Sequence, residues 1–193
     1  MMEKYFAAFI MTYQRSAILE STIVQICKQT FPPEKILIVD NSQDFETEEL
    51  IRRLENTRLE YHRVGYNAGP AGVARIGLKQ LAEEGFQWIF WGDDDLPKTL
   101  DCFEKLLSNV NVLEKPGIVG AVGHRVNTNS MSIQRTCDDL IRTRKWIEVD
   151  VIAGGMCMGV NADVIKGKPL PDERIFDDFS QGHSFYIQNW SAI

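Results

Sequence analysis

Four times within the first 95 residues a strand-like segment ends abruptly in a cluster of polar side chains. Tyr5–Met11 runs into Thr12-Tyr13-Gln14-Arg15, Lys35–Val39 into Asp40-Asn41-Ser42-Gln43-Asp44, Arg58–Arg63 into Asn67-Ala68-Gly69-Pro70-Ala71-Gly72, and Trp88–Trp91, through Gly92, into Asp93-Asp94-Asp95. Helix-like segments fill the intervals, and this alternation marks a mostly parallel sheet covered by helices, an α/β fold. Parallel strands present their carboxyl ends at one edge of the sheet. The four polar clusters should therefore meet around a single crevice, which is where open α/β sheets bind ligands.

The helical segments are legible from their spacing. Ile18, Leu19, Ile23, Val24 and Ile26 recur at helical intervals across Ser16–Gln29, and Thr30-Phe31-Pro32-Pro33 stops the run. Thr47–Leu54 reads as a short helix, and the Gly69-Pro70 turn opens another that runs to about Glu84. Beyond Asp95 the pattern predicts a helix over Thr99–Leu107, strands over Gly117–Gly123 and Trp146–Ile152, and a short helix over Asn161–Ile165. The polar stretch Asn127–Asp139 reads as a loop or excursion, and Ala153–Gly159 as a run of small residues permitting close backbone approach.

Composition narrows the function classes. With 193 residues, 44% hydrophobic and 25% charged, the chain suits one soluble domain. A net charge of -6 argues against a general nucleic-acid partner. No apolar run approaches the roughly 18 to 20 residues that span a bilayer, and Met1-Met2-Glu3-Lys4 does not open a secretory signal, so a cytoplasmic protein without an integral membrane segment is expected. Cys27, Cys102, Cys137 and Cys157 are scattered without a C-x-x-C pair and read as reduced thiols.

Chemistry concentrates at the acidic trio. Strand alternation would lean Asp93 and Asp95 one way and Asp94 the other, so two like charges converge. A hard divalent cation would relieve that repulsion and leave positions for water and phosphate; the competing reading is an acidic turn that only solubilises a strand end. Asp40 could accept a hydrogen bond from a nucleobase imide, or cap its own turn. Gly69-Pro70-Ala71-Gly72 could bring backbone N–H groups and a helix N-terminus near a phosphate, although it has neither G-x-G-x-x-G nor P-loop spacing. Arg15 and Arg75 could offset diphosphate charge, or be solvated surface charges.

Taken in order, Thr12-Tyr13-Gln14-Arg15, Val39-Asp40-Asn41-Ser42, Asn67-Ala68-Gly69-Pro70-Ala71-Gly72, Asp93-Asp94-Asp95 and the late Asp177-Asp178 resemble the family 2 inverting glycosyltransferases, in particular rhamnosyl- and galactofuranosyltransferase-like members. The resemblance implies a GT-A fold, Rossmann-like with helices on both faces, in one domain over 1–193, whose residues 1–97 form a nucleotide-binding half and 98–193 an acceptor-side half. It also implies a UDP- or dTDP-sugar donor, a saccharide or lipid-linked acceptor, Mg2+ or Mn2+, and a location in the cytoplasm or peripherally at the inner face of the membrane.

Residue by residue, the resemblance implies that Thr12 and Arg15 line the nucleotide pocket with Asn67, Gly69 and Arg75 near the phosphates, and that Asp40 meets the base. Asp93 would reach the ribose side and share the metal with Asp95, while Asp94 supports the site or faces the sugar. Asp178, with Asp177 beside it, falls at the catalytic base; the competing reading is a helix cap next to a surface acid. After Asp178 the chain reads Phe179-Ser180-Gln181-Gly182-His183, where the family carries an acidic-aromatic-Arg helix, and the fold is expected to be shortened at its C-terminal end. The alternative from another class is a nucleotide-sugar-binding module without turnover. A sugar nucleotidyltransferase is disfavoured because no Gly-rich, Arg- and Lys-bearing segment follows the first strand.

Overall fold

The computed structural model describes residues 4–166 apart from 96, 98, 109, 111–112, 114–115, 131, 136–145 and 153–157, together with residue 170. In chain order the elements are β1 (Lys4–Thr12), α1 (Ser16–Cys27), β2 (Lys35–Asp40), α2 (Glu46–Leu54), β3 (Leu59–Arg63), α3 (Gly69–Glu83) and β4 (Phe86–Asp93). They continue with α4 (Cys102–Ser108), β5 (Ile118–Gly120), β6 (Gly123–Asn127), β7 (Ser132–Arg135), β8 (Val151–Ile152), β9 (Met158–Asn161) and α5 (Ala162–Ile165).

The main sheet has six strands in the order β3-β2-β1-β4-β9-β5. β1 pairs in parallel with β2 and β4, and β2 with β3. β9 is antiparallel to both β4 and β5. β1 is central, and Ala7, Ala8, Phe9 and Ile10 are fully buried because both faces are covered, so the strand reads as a continuous apolar run rather than an alternating one. One face packs Phe6, Ala8, Ile10, Ile36 and Ile38 against Leu19, Ile23 and Ile26 of α1, Leu50 of α2 and Phe103 of α4. The other packs Phe9, Leu37, Val39 and Ile89 against Val73, Ala74, Leu78 and Leu81 of α3 and Ile165 of α5. The α/β architecture with helices on both faces is as the sequence led us to expect.

Helix α3 approaches the sheet so closely at Gly77 that a Cβ there would lie 2.3 Å from the Phe9 ring. Gly85, with φ +91°, then turns the chain from α3 into β4 in the left-handed region that favours glycine.

Four expectations are corrected in the second half. Gly117–Gly123 is not one strand: β5 ends at Gly120 and β6 begins at Gly123 in a different sheet. Asn127–Asp139 is not simply a loop, because β6 and β7 pair as an antiparallel hairpin within a three-stranded sheet ordered β7-β6-β8. Asn127 Oδ1 organises its turn by accepting from the N–H groups of Asn129 and Ser130 at 3.0 and 3.1 Å. Of Trp146–Ile152, only Val151–Ile152 is strand, and the small-residue run ends in β9, whose Gly159 and Val160 are buried in the main sheet. Finally, Cys27 is a free thiol but Cys102 is disulfide-bonded, against the expectation of reduced cysteines throughout.

Candidate active site

Register brings the polar clusters together. Thr12 at the end of β1 pairs with Asp40 at the end of β2, Asp40 pairs with Arg63 at the end of β3, and Met11 pairs with Asp93 of β4. Neighbouring strands lie about 4.8 Å apart, so these four loops open on one rim of the sheet.

Asp94 is the buried centre of the acidic trio, with a relative exposure of 3%. Thr12 Oγ1 donates to its Oδ2 at 3.2 Å and Arg15 Nη1 to its Oδ1 at 2.6 Å. Its carbonyl accepts from Thr22 Oγ1, a fully buried hydroxyl on the core-facing side of α1. Burial pushes the Asp94 carboxyl above its ordinary value; Arg15 and the Thr12 hydrogen bond pull it back, while the neighbouring Asp95 charge pushes it up again. Asp95 points outward with its side chain 63% exposed, and Arg15 Nη2 reaches it at 3.5 Å. Asp93, the last residue of β4, is half-buried.

Asp40 is completely buried. Its Oδ1 accepts from the Ser42 N–H at 2.8 Å and its Oδ2 from the Tyr61 hydroxyl at 2.9 Å, so it caps its own turn and is gripped from β3. A carboxylate has further lone-pair directions, so these two bonds leave acceptor capacity. The next two residues tie the rim together. Asn41 Oδ1 accepts from Ala68 N–H at 3.3 Å, its Nδ2 donates to the Gly69 carbonyl at 3.4 Å, and its backbone N–H donates to the Thr12 carbonyl at 3.0 Å. Ser42 Oγ accepts from the Gln14 N–H at 2.7 Å, holding the first loop where Gln14 adopts a φ of 54°.

The third loop is shaped by Asn67, whose Oδ1 accepts from Gly69 N–H at 3.0 Å. Gly69 has a φ of +64°, and Pro70 stands in the first turn of α3, where a missing N–H costs nothing. Arg75 is exposed further along α3 and makes no ion pair among the described residues.

Thr12, Arg15, Asp40, Asn67, Gly69, Asp93, Asp94 and Asp95 thus gather at one rim, with Arg75 on the helix that starts there. Asp177 and Asp178, like Gly154-Gly155-Met156, lie outside the described residues. Sequence reasoning missed the linking roles of Asn41, Ser42, Thr22 and Tyr61. A signal existed for Thr22, a hydroxyl at a position that helical spacing turns towards the core.

Among the described residues no three His, Cys, Asp or Glu side chains converge as a metal cage. The exposed Asp95 carboxylate, two residues after the half-buried Asp93, fits a different arrangement, in which a hard cation takes one or two carboxylates and draws its other oxygens from phosphate and water. No helix among the described residues is long and apolar enough to cross a membrane.

Comparison with known proteins bears on the family and the fold. Residues 7–165 match the family described as Glycosyl transferase family 2. The chain is 29% identical over 90 residues to the galactofuranosyltransferase GlfT1 of Mycolicibacterium smegmatis, covering 46% of this chain and 29% of the relative. The structure resembles that of GalNAc-T7 with UDP, GalNAc and Mn2+ at a TM-score of 0.63 and 15% identity, covering 94% of this chain and 39% of the other. It also resembles the mannosyltransferase PcManGT of Pyrobaculum calidifontis in complex with GDP-Man and Mn2+, at a TM-score of 0.57 and 18% identity over 85% of this chain and 47% of the other. The chain therefore spans less than half the length of each of these proteins, and at such identities the two structures establish the shared fold, GT-A.

Proposed function

Because this chain belongs to glycosyl transferase family 2, we propose that it moves a sugar from a UDP- or dTDP-sugar to a hydroxyl of a saccharide or lipid-linked acceptor, inverting the anomeric carbon, with Mg2+ or Mn2+. The observation that carries this reading is the convergence of four loops at one sheet rim, joined by the Thr12–Asp94 hydrogen bond and the Thr12–Asp40 register. In this reading residues 1–97 hold the nucleotide and 98–193 the acceptor side.

In this reading Asp40 offers its remaining acceptor capacity to the imide N–H of uracil or thymine. Asp93 meets the ribose side, and Asp93 and Asp95 hold the cation. Asn67 and Gly69 set the backbone at the start of α3 beside the diphosphate, and Arg15 and Arg75 contribute positive charge. When bound, the divalent cation neutralises charge on the departing nucleoside diphosphate. Asp178, with Asp177 beside it, is assigned as the base on sequence grounds. It takes the proton of the acceptor hydroxyl, whose oxygen forms the new bond to the anomeric carbon as the old carbon–oxygen bond breaks and its electron pair leaves with the diphosphate. Attack opposite the leaving group inverts the centre. The inner face of the membrane is where a lipid-linked acceptor would be met.

Calorimetry with UDP, dTDP and Mn2+ tests the donor half. Binding of either nucleotide that is abolished by Asp95→Ala is the expected result, and absence of binding by both would remove the reading. Transfer lost in Asp178→Asn with binding retained identifies the base, whereas binding without any transfer in the native protein identifies a catalytically incomplete module.

A further inference from the structure

Arg15 stands between two carboxylates in very different surroundings. Its Nη1 lies 2.6 Å from Asp94, whose side chain is 4% exposed, and its Nη2 lies 3.5 Å from Asp95, whose side chain is 63% exposed. A carboxylate as buried as Asp94 requires a compensating cation, and among the described residues Arg15 provides it. The contact to Asp95 is of another kind: long, solvated and cheap to break. The loop is fixed from behind, because Ser42 Oγ accepts from Gln14 N–H at 2.7 Å while Gln14 holds a φ of 54°. One end of the guanidinium is thus anchored and the other is free to change partners.

We propose that Arg15 acts as a two-position counter-ion: Nη1 stays on Asp94, while Nη2 pairs with Asp95 and passes to a donor phosphate oxygen when a divalent cation binds Asp95. This rests on the donor-and-metal reading above. Two consequences follow from the geometry. Without nucleotide Arg15 competes with the cation for Asp95, which keeps metal affinity low. With nucleotide present the same arm gains a phosphate partner, so metal and nucleotide favour each other's binding by more than direct coordination provides. The planar, forked guanidinium can serve two acceptors at once, whereas an ammonium is a point charge that must choose.

The test is a titration of the whole protein with Mn2+, followed by electron paramagnetic resonance of the free ion, with and without UDP. Arg15→Lys keeps a cation for Asp94 and is expected to leave the melting temperature near the native value. It should bind Mn2+ alone roughly two- to five-fold more tightly, the range of an exposed ion pair, and show a smaller enhancement of Mn2+ affinity by UDP. Arg15→Gln should show the same changes with lower stability. Native Mn2+ affinity and native UDP enhancement in Arg15→Lys would overturn the proposal while leaving the donor reading intact. Mn2+ binding unaffected by Asp95→Asn, with or without UDP, would instead remove the metal reading on which it rests.

Discussion

Tyr61 donates its hydroxyl hydrogen to Oδ2 of the fully buried Asp40 at 2.9 Å, binding the third strand to the carboxylate that ends the second. Burial, then this hydrogen bond, raises the Tyr61 pKa, so the phenol remains a donor throughout the physiological range. Tyr61→Phe leaves Asp40 with the Ser42 N–H and one donor fewer. A loss of about 1 to 3 kcal/mol in urea unfolding is expected for a buried acceptor so deprived, with weaker UDP binding beside it. A change within a few tenths of a kcal/mol would mean that another donor replaces the phenol.

Asn41→Ala should affect the start of α3 more than the sheet. The substitution removes the side-chain bonds to Ala68 and Gly69 but keeps the backbone bond to Thr12. Hydrogen exchange should accelerate at residues 68–72 while β1 stays protected, and stability should fall by roughly 1 to 2 kcal/mol. Uniform acceleration through β1 and β2 would contradict a role confined to holding that loop.

Gly77→Ala is expected to cost more than Gly85→Ala. At Gly77 the new methyl would meet the fully buried Phe9 ring at 2.3 Å, an overpacking that costs about 1 to 3 kcal/mol and displaces α3 from β1. At Gly85 nothing lies within 4 Å, and the cost is that of a φ of +91° alone, roughly 1 kcal/mol. Chemical denaturation of the two variants orders them directly.

The acidic trio predicts a pH dependence in metal-free protein. Asp94 holds its proton more tightly in the folded chain than at its ordinary value of 3.8, chiefly because it is buried. The folded state therefore carries more protons over that window, and stability falls as pH rises. The contribution is complete below about pH 3.8 and lost once pH passes the raised folded value. In chelator-treated protein Asp94→Asn should flatten this part of the stability profile, and an unchanged slope would assign it to another group.

Much of the rim was legible because the inner parallel strands β1 and β2 bury both faces. Tyr5–Met11 and Ile36–Val39 had to be apolar throughout, so the next polar residue marked the strand end and the clusters followed. The β6–β7 hairpin escaped because its partly exposed strands, His124-Arg125-Val126 and Ser132-Ile133, carry little apolar periodicity, although Asn127 and the residues after it held the chemistry of its turn. β9 escaped because four residues, Met158–Asn161, give too short a pattern beside a glycine run. The linking roles of Asn41 and Ser42 depend on partners 27 and 28 positions away, which no local pattern specifies.

β9 runs against its neighbours, and Met158 at its start sits opposite Trp91, two residues before the end of β4. The chain thus re-enters the sheet from the same side on which β1 to β4 finish. Whatever length of polypeptide is inserted ahead of Met158, the pairing of the first four strands is untouched by it. The pairings β1–β2, β1–β4 and β2–β3 are all made by residues that precede that insert, so its exchange would remove none of their partners.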